Sequence, residues 1–290
     1  MNTIWSTYVQ GIGTLYNTRL LRFSDLFQKK YRDAFRIDDK EQILEIGCGP
    51  GALAESLARW YPKARVYGVD RDSNFIAFAK QQNPLIQYTE GDATALAFED
   101  ESMDVTLSNT VAEHIEPSKF YGEQYRVLKE NGVCLVLSAR RGINITAPCI
   151  SEQTAFEKEI WKRAEKQLAE VDKKFSVCAY PQNESELPLC MEQYGFRNVT
   201  TEYLTINLTP DNPIYSKETA HAMINANRQV SLDAADDLLR NVAGVVTADE
   251  VEELKRRINA KYDKRIELYD TGIKQWDTNV SVTMVVRGEK

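Results

Sequence analysis

The sequence predicts an α/β fold built on a doubly wound, parallel sheet, and three observations carry that prediction. Short apolar runs alternate with helical periodicities from Lys40 to about Ser138. The loops between them are short, which selects parallel strands joined by crossover helices. The first apolar run, Ile43-Leu44-Glu45-Ile46, ends in glycines at alternate positions, Gly47, Gly49 and Gly51. Such a turn sends a buried strand sharply into a helix and leaves no Cβ to block a ligand's approach to the backbone. The free amides at the helix start then offer donors to a carboxylate or a phosphate.

The elements follow in order. Strand one covers 42–46, and Ala52, Leu53, Leu57 and Ala58 give the next helix its inward face before Pro62 stops it. Strand two covers 64–69 and is closed by Asp70. Ser73 is the expected cap of a helix to Lys80, with Phe75, Ile76 and Ala79 inward. Strand three covers 85–89 and leads into Gly91-Asp92-Ala93. Strand four covers 103–107 and ends at Ser108-Asn109. Pro117 suits a first helical turn, and the helix runs past Phe120, Tyr121, Tyr125 and Leu128 to a stop at Gly132. Strand five covers 133–137.

Outside this core, residues 1–37 read as an N-terminal helical segment. Tyr16, Leu20, Phe23, Phe27 and Tyr31 recur at three- and four-residue steps and form an apolar stripe. The α/β core takes 38–140. A first insertion, 141–185, holds an amphipathic helix over 151–175 with Ser151 at its cap. A core helix and a sixth strand fill 186–208. A second insertion, 209–275, contains the capping box Thr247-Ala248-Asp249-Glu250, followed by Val251, Leu254, Ile258 and Tyr262 at helical spacing. The stretch 276–290 closes with a strand in which Val280, Val282, Met284 and Val286 alternate with polar residues.

The formal net charge is −7 and the basic residues are scattered among acids, so no global field draws nucleic acid. No run approaches the ~18 apolar residues of a membrane span. The start, Met1-Asn2-Thr3-Ile4-Trp5, lacks the basic and apolar stretches of a signal peptide, and a cytoplasmic location is expected. The cysteines are Cys48, Cys134, Cys149, Cys178 and Cys190. None pairs as C-x-x-C and only two histidines are present, so reduced thiols and no zinc site are expected.

Two ligand families use such a glycine turn. Gly47-Cys48-Gly49-Pro50-Gly51-Ala52 satisfies the dinucleotide pattern G-x-G-x-x-A, with Asp70 at the usual offset for a ribose hydroxyl. Glu45 argues against NAD, because a carboxylate at the strand end repels a pyrophosphate and welcomes a sulfonium carried on an amino acid. The pattern E-x-G-x-G-x-G over Glu45–Gly51 resembles the first motif of class I S-adenosylmethionine-dependent methyltransferases. Asn109-Thr110-Val111-Ala112-Glu113-His114 and Arg126-Val127-Leu128-Lys129-Glu130-Asn131-Gly132 resemble the small-molecule branch that holds the quinone-ring methyltransferases. Four markers in the right order make the resemblance specific across the core, and it does not extend to the insertions.

The resemblance implies a Rossmann-like class I methyltransferase sheet of seven strands with helical cap insertions, and S-adenosylmethionine as cofactor. It implies a cofactor site drawn from Tyr8, Tyr16, Glu45, Gly47, Cys48, Gly49, Gly51, Asp70, Arg71, Asp92, Ala93 and Asn109. Within that set Asp70 takes the ribose and Asp92 takes the adenine amino group. The N-terminal segment is implied to be a lid, with Trp5, Tyr8 and Tyr16 over the cofactor and Gly11 and Gly13 as a hinge. Methyl transfer from a sulfonium is an in-line displacement that needs alignment more than acid–base help, so no catalytic residue is assigned. His114 is either structural or a general base. The absence of an N/D-P-P-Y/F/W motif after strand four disfavours adenine and glutamine amides as acceptors.

The expected partner is a small-molecule methyl acceptor, with no nucleic acid and no membrane span. Acceptor choice is expected to live in the insertions, with Trp161, Phe175, Tyr180, Tyr215 and Met223 walling a closed, largely apolar cavity. Three other readings remain in play: an NAD-linked oxidoreductase, a non-catalytic S-adenosylmethionine-binding protein, and a metalloid methyltransferase using Cys149, Cys178 and Cys190.

Overall fold

The computed structural model describes residues 4–147, 150, 153–242 and 244–290. Seven strands form one sheet: β1 (Gln42–Ile46), β2 (Arg65–Asp70), β3 (Gln87–Glu90), β4 (Met103–Asn109), β5 (Leu128–Ala147), β6 (Arg197–Asn207) and β7 (Thr278–Glu289). Their order is β3-β2-β1-β4-β5-β7-β6. The parallel expectation holds from β3 across to β5. β7, whose direction the alternation over 40–138 does not address, runs antiparallel to both β5 and β6 and makes the sheet mixed. A hairpin-like return from β6 to β7 through a helical insertion permits antiparallel pairing, which no crossover helix enforces.

The helices within the core are α1 (Ile12–Arg22), α2 (Gln28–Phe35), α3 (Ala52–Trp60), α4 (Ser73–Gln82) and α5 (Pro117–Val127). Beyond them come α6 (Ala155–Lys174), α7 (Glu186–Gln193), α8 (Lys217–Asn241) and α9 (Ala248–Asp270). One face of the sheet buries Phe35, Leu57, Val105, Leu135 and Ile206, and the other buries Ile46, Phe120, Cys134 and Met284. α6, α8 and α9 enclose a separate apolar cluster around Ile160, Leu238, Leu254 and Ile258, so the cap has a core of its own. Arg265 is fully buried and ties α9 to Asp211 at 2.8 Å and to Asp277 at 2.6 Å, the latter just ahead of β7.

Several boundaries move. The N-terminal segment is not one helix: it comprises a single π-helical turn (Trp5–Val9), α1, a 3-10 turn and α2. Gly11 is not a free hinge, since a Cβ there would meet Asp233 Oδ2 on α8 at 2.8 Å. The α4 cap is Asp72 rather than Ser73, with Oδ1 accepting from the Asn74 and Phe75 amides at 3.0 and 3.3 Å. β5 starts at Leu128 and continues through Ala147, past the boundary expected at residue 140. α6 starts at Ala155 behind a capping box of Thr154 and Glu157. Ser151 lies outside the described residues, as does Cys149.

Candidate active site

A cavity of about 460 Å³ opens at the carboxyl ends of β1, β2 and β4, where the strand order reverses. Crevices at such switch points are where open α/β sheets bind ligands. The glycine turn forms its floor. Gly47, Gly49 and Gly51 have φ of 68°, 54° and 91°, left-handed values that exclude ordinary side chains. A Cβ on Gly47 would run into Val111, and one on Gly51 would meet the Tyr88 hydroxyl at 2.5 Å.

The end of β2 holds this turn in place. The Gly47 and Cys48 amides donate to the Val69 carbonyl at 2.7 and 3.0 Å. The Gly49 amide donates to Asp70 Oδ2, and the Asp72 amide to Asp70 Oδ1, both at 2.8 Å. Asp70 therefore organises the turn as well as facing the cavity. Burial raises its carboxyl above the ordinary value, and the two amides pull it back. Asp92 caps its own loop, accepting from the Thr94 amide and hydroxyl at 2.8 Å, and lies with Ala93 along the same wall.

Glu45 and Arg19 are two ionisable groups in the wall, beside Asp70, Arg71, Asp92, Glu116 and Lys119. Glu45 is buried, and its Oε2 has no hydrogen-bond partner. Burial pushes its carboxyl well above the usual range, and Asp70 adds to that, while the Ala54 amide and Arg19 oppose it. Arg19 reaches in from α1, with Nη2 donating to Thr110 Oγ1 at 2.8 Å. Burial and neighbouring Arg22 lower it to about 10, against the pull of Tyr31, Glu45 and Glu113, so it stays charged at neutral pH. Arg19 was not visible in the sequence. It is one basic residue among many, and only the docking of α1 shows which way it points.

The N-terminal segment covers the mouth. Trp5 lines the cavity, lies beneath the Arg71 guanidinium at 5.3 Å and meets the His114 ring edge-on at 4.7 Å. His114 Nδ1 accepts from the Cys178 amide at 2.9 Å, which places the proton of the neutral ring on Nε2. Its basic nitrogen is thereby committed to the turn after α6, and the geometry favours a structural role over a general base.

Of the expected cofactor residues, Glu45, Gly47, Cys48, Gly49, Asp70, Arg71, Asp92, Ala93 and Asn109 line the cavity. Gly51, Tyr8 and Tyr16 do not. Tyr8 stacks on Phe175 at 5.2 Å, and the Tyr16 hydroxyl donates to Glu55 at 3.1 Å. The cavity differs from the expected apolar chamber between two insertions. The first insertion supplies Ser176, Ala179 and Tyr180, but none of the described residues of 209–275 lines the wall. Tyr215 and Met223 are buried in the main core, and Trp161 packs on the cap cluster. The second insertion acts indirectly by gripping the N-terminal segment. Thr14 is bonded to Asp233, and Arg240 and Asn241 donate to the Thr7 and Tyr8 carbonyls at 2.5 and 3.1 Å. Cys178 and Cys190 lie outside the cavity wall.

Residues 44–136 match the methyltransferase-domain family. A fatty-acid O-methyltransferase of Mycolicibacterium smegmatis is 35% identical over 135 residues, which are 45% of this chain and 48% of that protein. A ubiquinone biosynthesis O-methyltransferase of Bartonella tribocorum is 38% identical over 108 residues, 36% of this chain and 43% of that one. The chain thus spans less than half the length of these relatives. A phosphoethanolamine N-methyltransferase 2 of Haemonchus contortus, solved with S-adenosyl-L-methionine, superposes with a TM-score of 0.53 at 17% identity. That superposition covers 100% of this chain and 60% of the other, and it bears on the fold alone. Within this chain, residues 44–136 are therefore similar in sequence to methyltransferase domains. The matched family and relatives lend nothing to an oxidoreductase.

Proposed function

We propose that the protein is an S-adenosylmethionine-dependent methyltransferase that passes the methyl group to a small-molecule acceptor by in-line displacement. The observation that carries this is the buried carboxyl of Glu45, with Oε2 unpartnered, lining the same cavity as the Arg19 guanidinium. That pair complements a zwitterion bearing an extra positive charge: Arg19 suits the carboxylate, and Glu45 suits the ammonium and sulfonium side. A pyrophosphate brings no cation to draw the proton off the buried Glu45 carboxyl, and it would meet like charge wherever that carboxyl ionised. Asp70 would accept from the ribose hydroxyls and Asp92 from the adenine amino group, with Ala93, Arg71 and Asn109 beside them. The glycine turn lets the ligand lie against the backbone.

The cofactor supplies the activated methyl group; the chain supplies alignment, which by itself is worth roughly 7–11 kcal/mol for well-oriented reactants. On this reading a small acceptor sits by His114 and Tyr180, which line the same cavity. A cytoplasmic location belongs to the same reading, with the described cysteines as free thiols. Incubation with methyl-labelled S-adenosylmethionine and a panel of small carboxylic acids and phenols should give labelled product. Tight cofactor binding with no transfer to any acceptor would leave a sensor instead, and displacement of S-adenosylmethionine by micromolar NAD would favour the dinucleotide reading.

A further inference from the structure

The segment over the cavity is fastened to the core at one side chain that also shapes the cofactor loop. Asp72 is 0% exposed and uses both carboxyl oxygens. Oδ1 caps α4 through the Asn74 and Phe75 amides, and Oδ2 accepts from the Ser6 amide of the π-helical turn at 2.8 Å. Its own amide donates to Asp70 Oδ1 at 2.8 Å. One residue further back, the Arg71 guanidinium covers Trp5, and Asn74 Nδ2 donates to Ser6 Oγ at 3.1 Å. Residues 70–74 therefore meet the strap (residues 5–10) on one side and the glycine turn, through Asp70, on the other.

We propose that Asp72 is a positioning residue that latches the strap over the cavity, so that closing the mouth and setting Asp70 are a single event. A carboxylate is needed because two oxygens are needed: a cap alone requires one acceptor, and so does the strap. Ser6 contributes a backbone amide, so the latch depends on the path of the chain and on the acid rather than on the identity of residue 6. The bond is shielded, since Asp72 is buried, and a charge-assisted bond in such a place is stronger than an exposed one. On the opposite flank α8 holds the strap through Arg240 and Asn241 and the start of α1 through the Asp233 bond to Thr14, and these anchors do not touch the cofactor loop. Releasing the Asp72 side opens the mouth next to the ribose-facing acid while the outer hinge stays attached.

The idea rests on the proposed cofactor site, and its test separates the two. Asp72→Asn and Asp72→Ser both retain a good capping oxygen for α4, and neither has an oxygen left over for Ser6. Hydrogen exchange at the amides of residues 5–10 in the ligand-free protein should rise in both variants, with α4 amides still protected. The S-adenosylmethionine dissociation rate should rise by about tenfold, the low end for losing a bond to a charged group. Unchanged exchange in the strap would show that Asp72 only caps the helix. Faster exchange with an unchanged dissociation rate would overturn the coupling. If the unaltered protein binds no S-adenosylmethionine, the functional reading fails, while the exchange experiment still decides the latch.

Discussion

The Gly49 amide points at Asp70 Oδ2 from 2.8 Å, so the acid that ends β2 fixes the conformation of the turn that ends β1. On the proposed cofactor reading, ligand recognition and local folding share this bond, and substitutions at Asp70 cannot separate them fully. Asp70→Ala is expected to weaken S-adenosylmethionine binding at least tenfold, since each bond to a charged group is worth about 1.5–3 kcal/mol. It should also lower the melting temperature, because the Gly49 and Asp72 amides lose their acceptor. Asp70→Asn should recover part of both. Calorimetry and thermal melts on the same samples test this, and unchanged affinity in the alanine variant contradicts it.

Glu45 is expected to set a pH dependence. In the free protein burial holds its proton more tightly than in the unfolded chain, where the carboxyl titrates near 4.5. The protonated form therefore favours folding at low pH, and that contribution is lost as pH climbs toward the raised folded value. A cationic ligand reverses the preference and expels the proton. S-adenosylmethionine affinity should rise with pH, and titrations in buffers of different ionisation enthalpy should show proton release. Glu45→Gln should raise the neutral-pH melting temperature, weaken binding by about tenfold or more, and abolish the release. A wild-type titration without proton release would count against Glu45 as the cation partner.

How much of this was legible in the sequence depends on how local the cause is. The strand-turn-helix at Glu45–Gly51, the acids at Asp70 and Asp92 and the Thr247 capping box are set by neighbours in the chain, and each is where the sequence places it. The cavity wall is different. Arg19 and Leu15 enter only because α1 folds across the mouth, and Tyr215 and Met223 turn away because the second insertion packs on the sheet and on the strap. Such choices are made by tertiary contacts far apart in sequence. The antiparallel β7 belongs with them, since periodicity reports a strand but not its direction.

Gly47 offers a stability test with a built-in rescue. Gly47→Ala should cost about 1–3 kcal/mol, combining positive φ with the clash on Val111. Val111→Ala in the same chain should return part of that loss, the remainder being backbone strain. Chemical denaturation of the two single variants and the double variant measures the coupling. Strict additivity would mean that Val111 yields without cost.

Asp237 on α8 is raised to about 6 by burial and by the nearby acids Asp233 and Asp236, against the pull of Arg240. Its folded value lies above its unfolded one, so its contribution is present at low pH and is lost as pH rises from about 4 through about 6. Asp237→Asn should raise stability at pH 7 by on the order of 1–2 kcal/mol and change little at pH 4. Melts at the two pH values decide it, and an equal effect at both would refute the titration.

The central claim is that this cavity holds S-adenosylmethionine between Glu45, Arg19 and the glycine turn. Its most direct test is a calorimetric titration of the unaltered protein with S-adenosylmethionine, repeated in millimolar NAD. The expected result is one site per chain, with an isotherm that NAD leaves unmoved. No heat of binding at millimolar S-adenosylmethionine, or competition by NAD, would contradict the assignment.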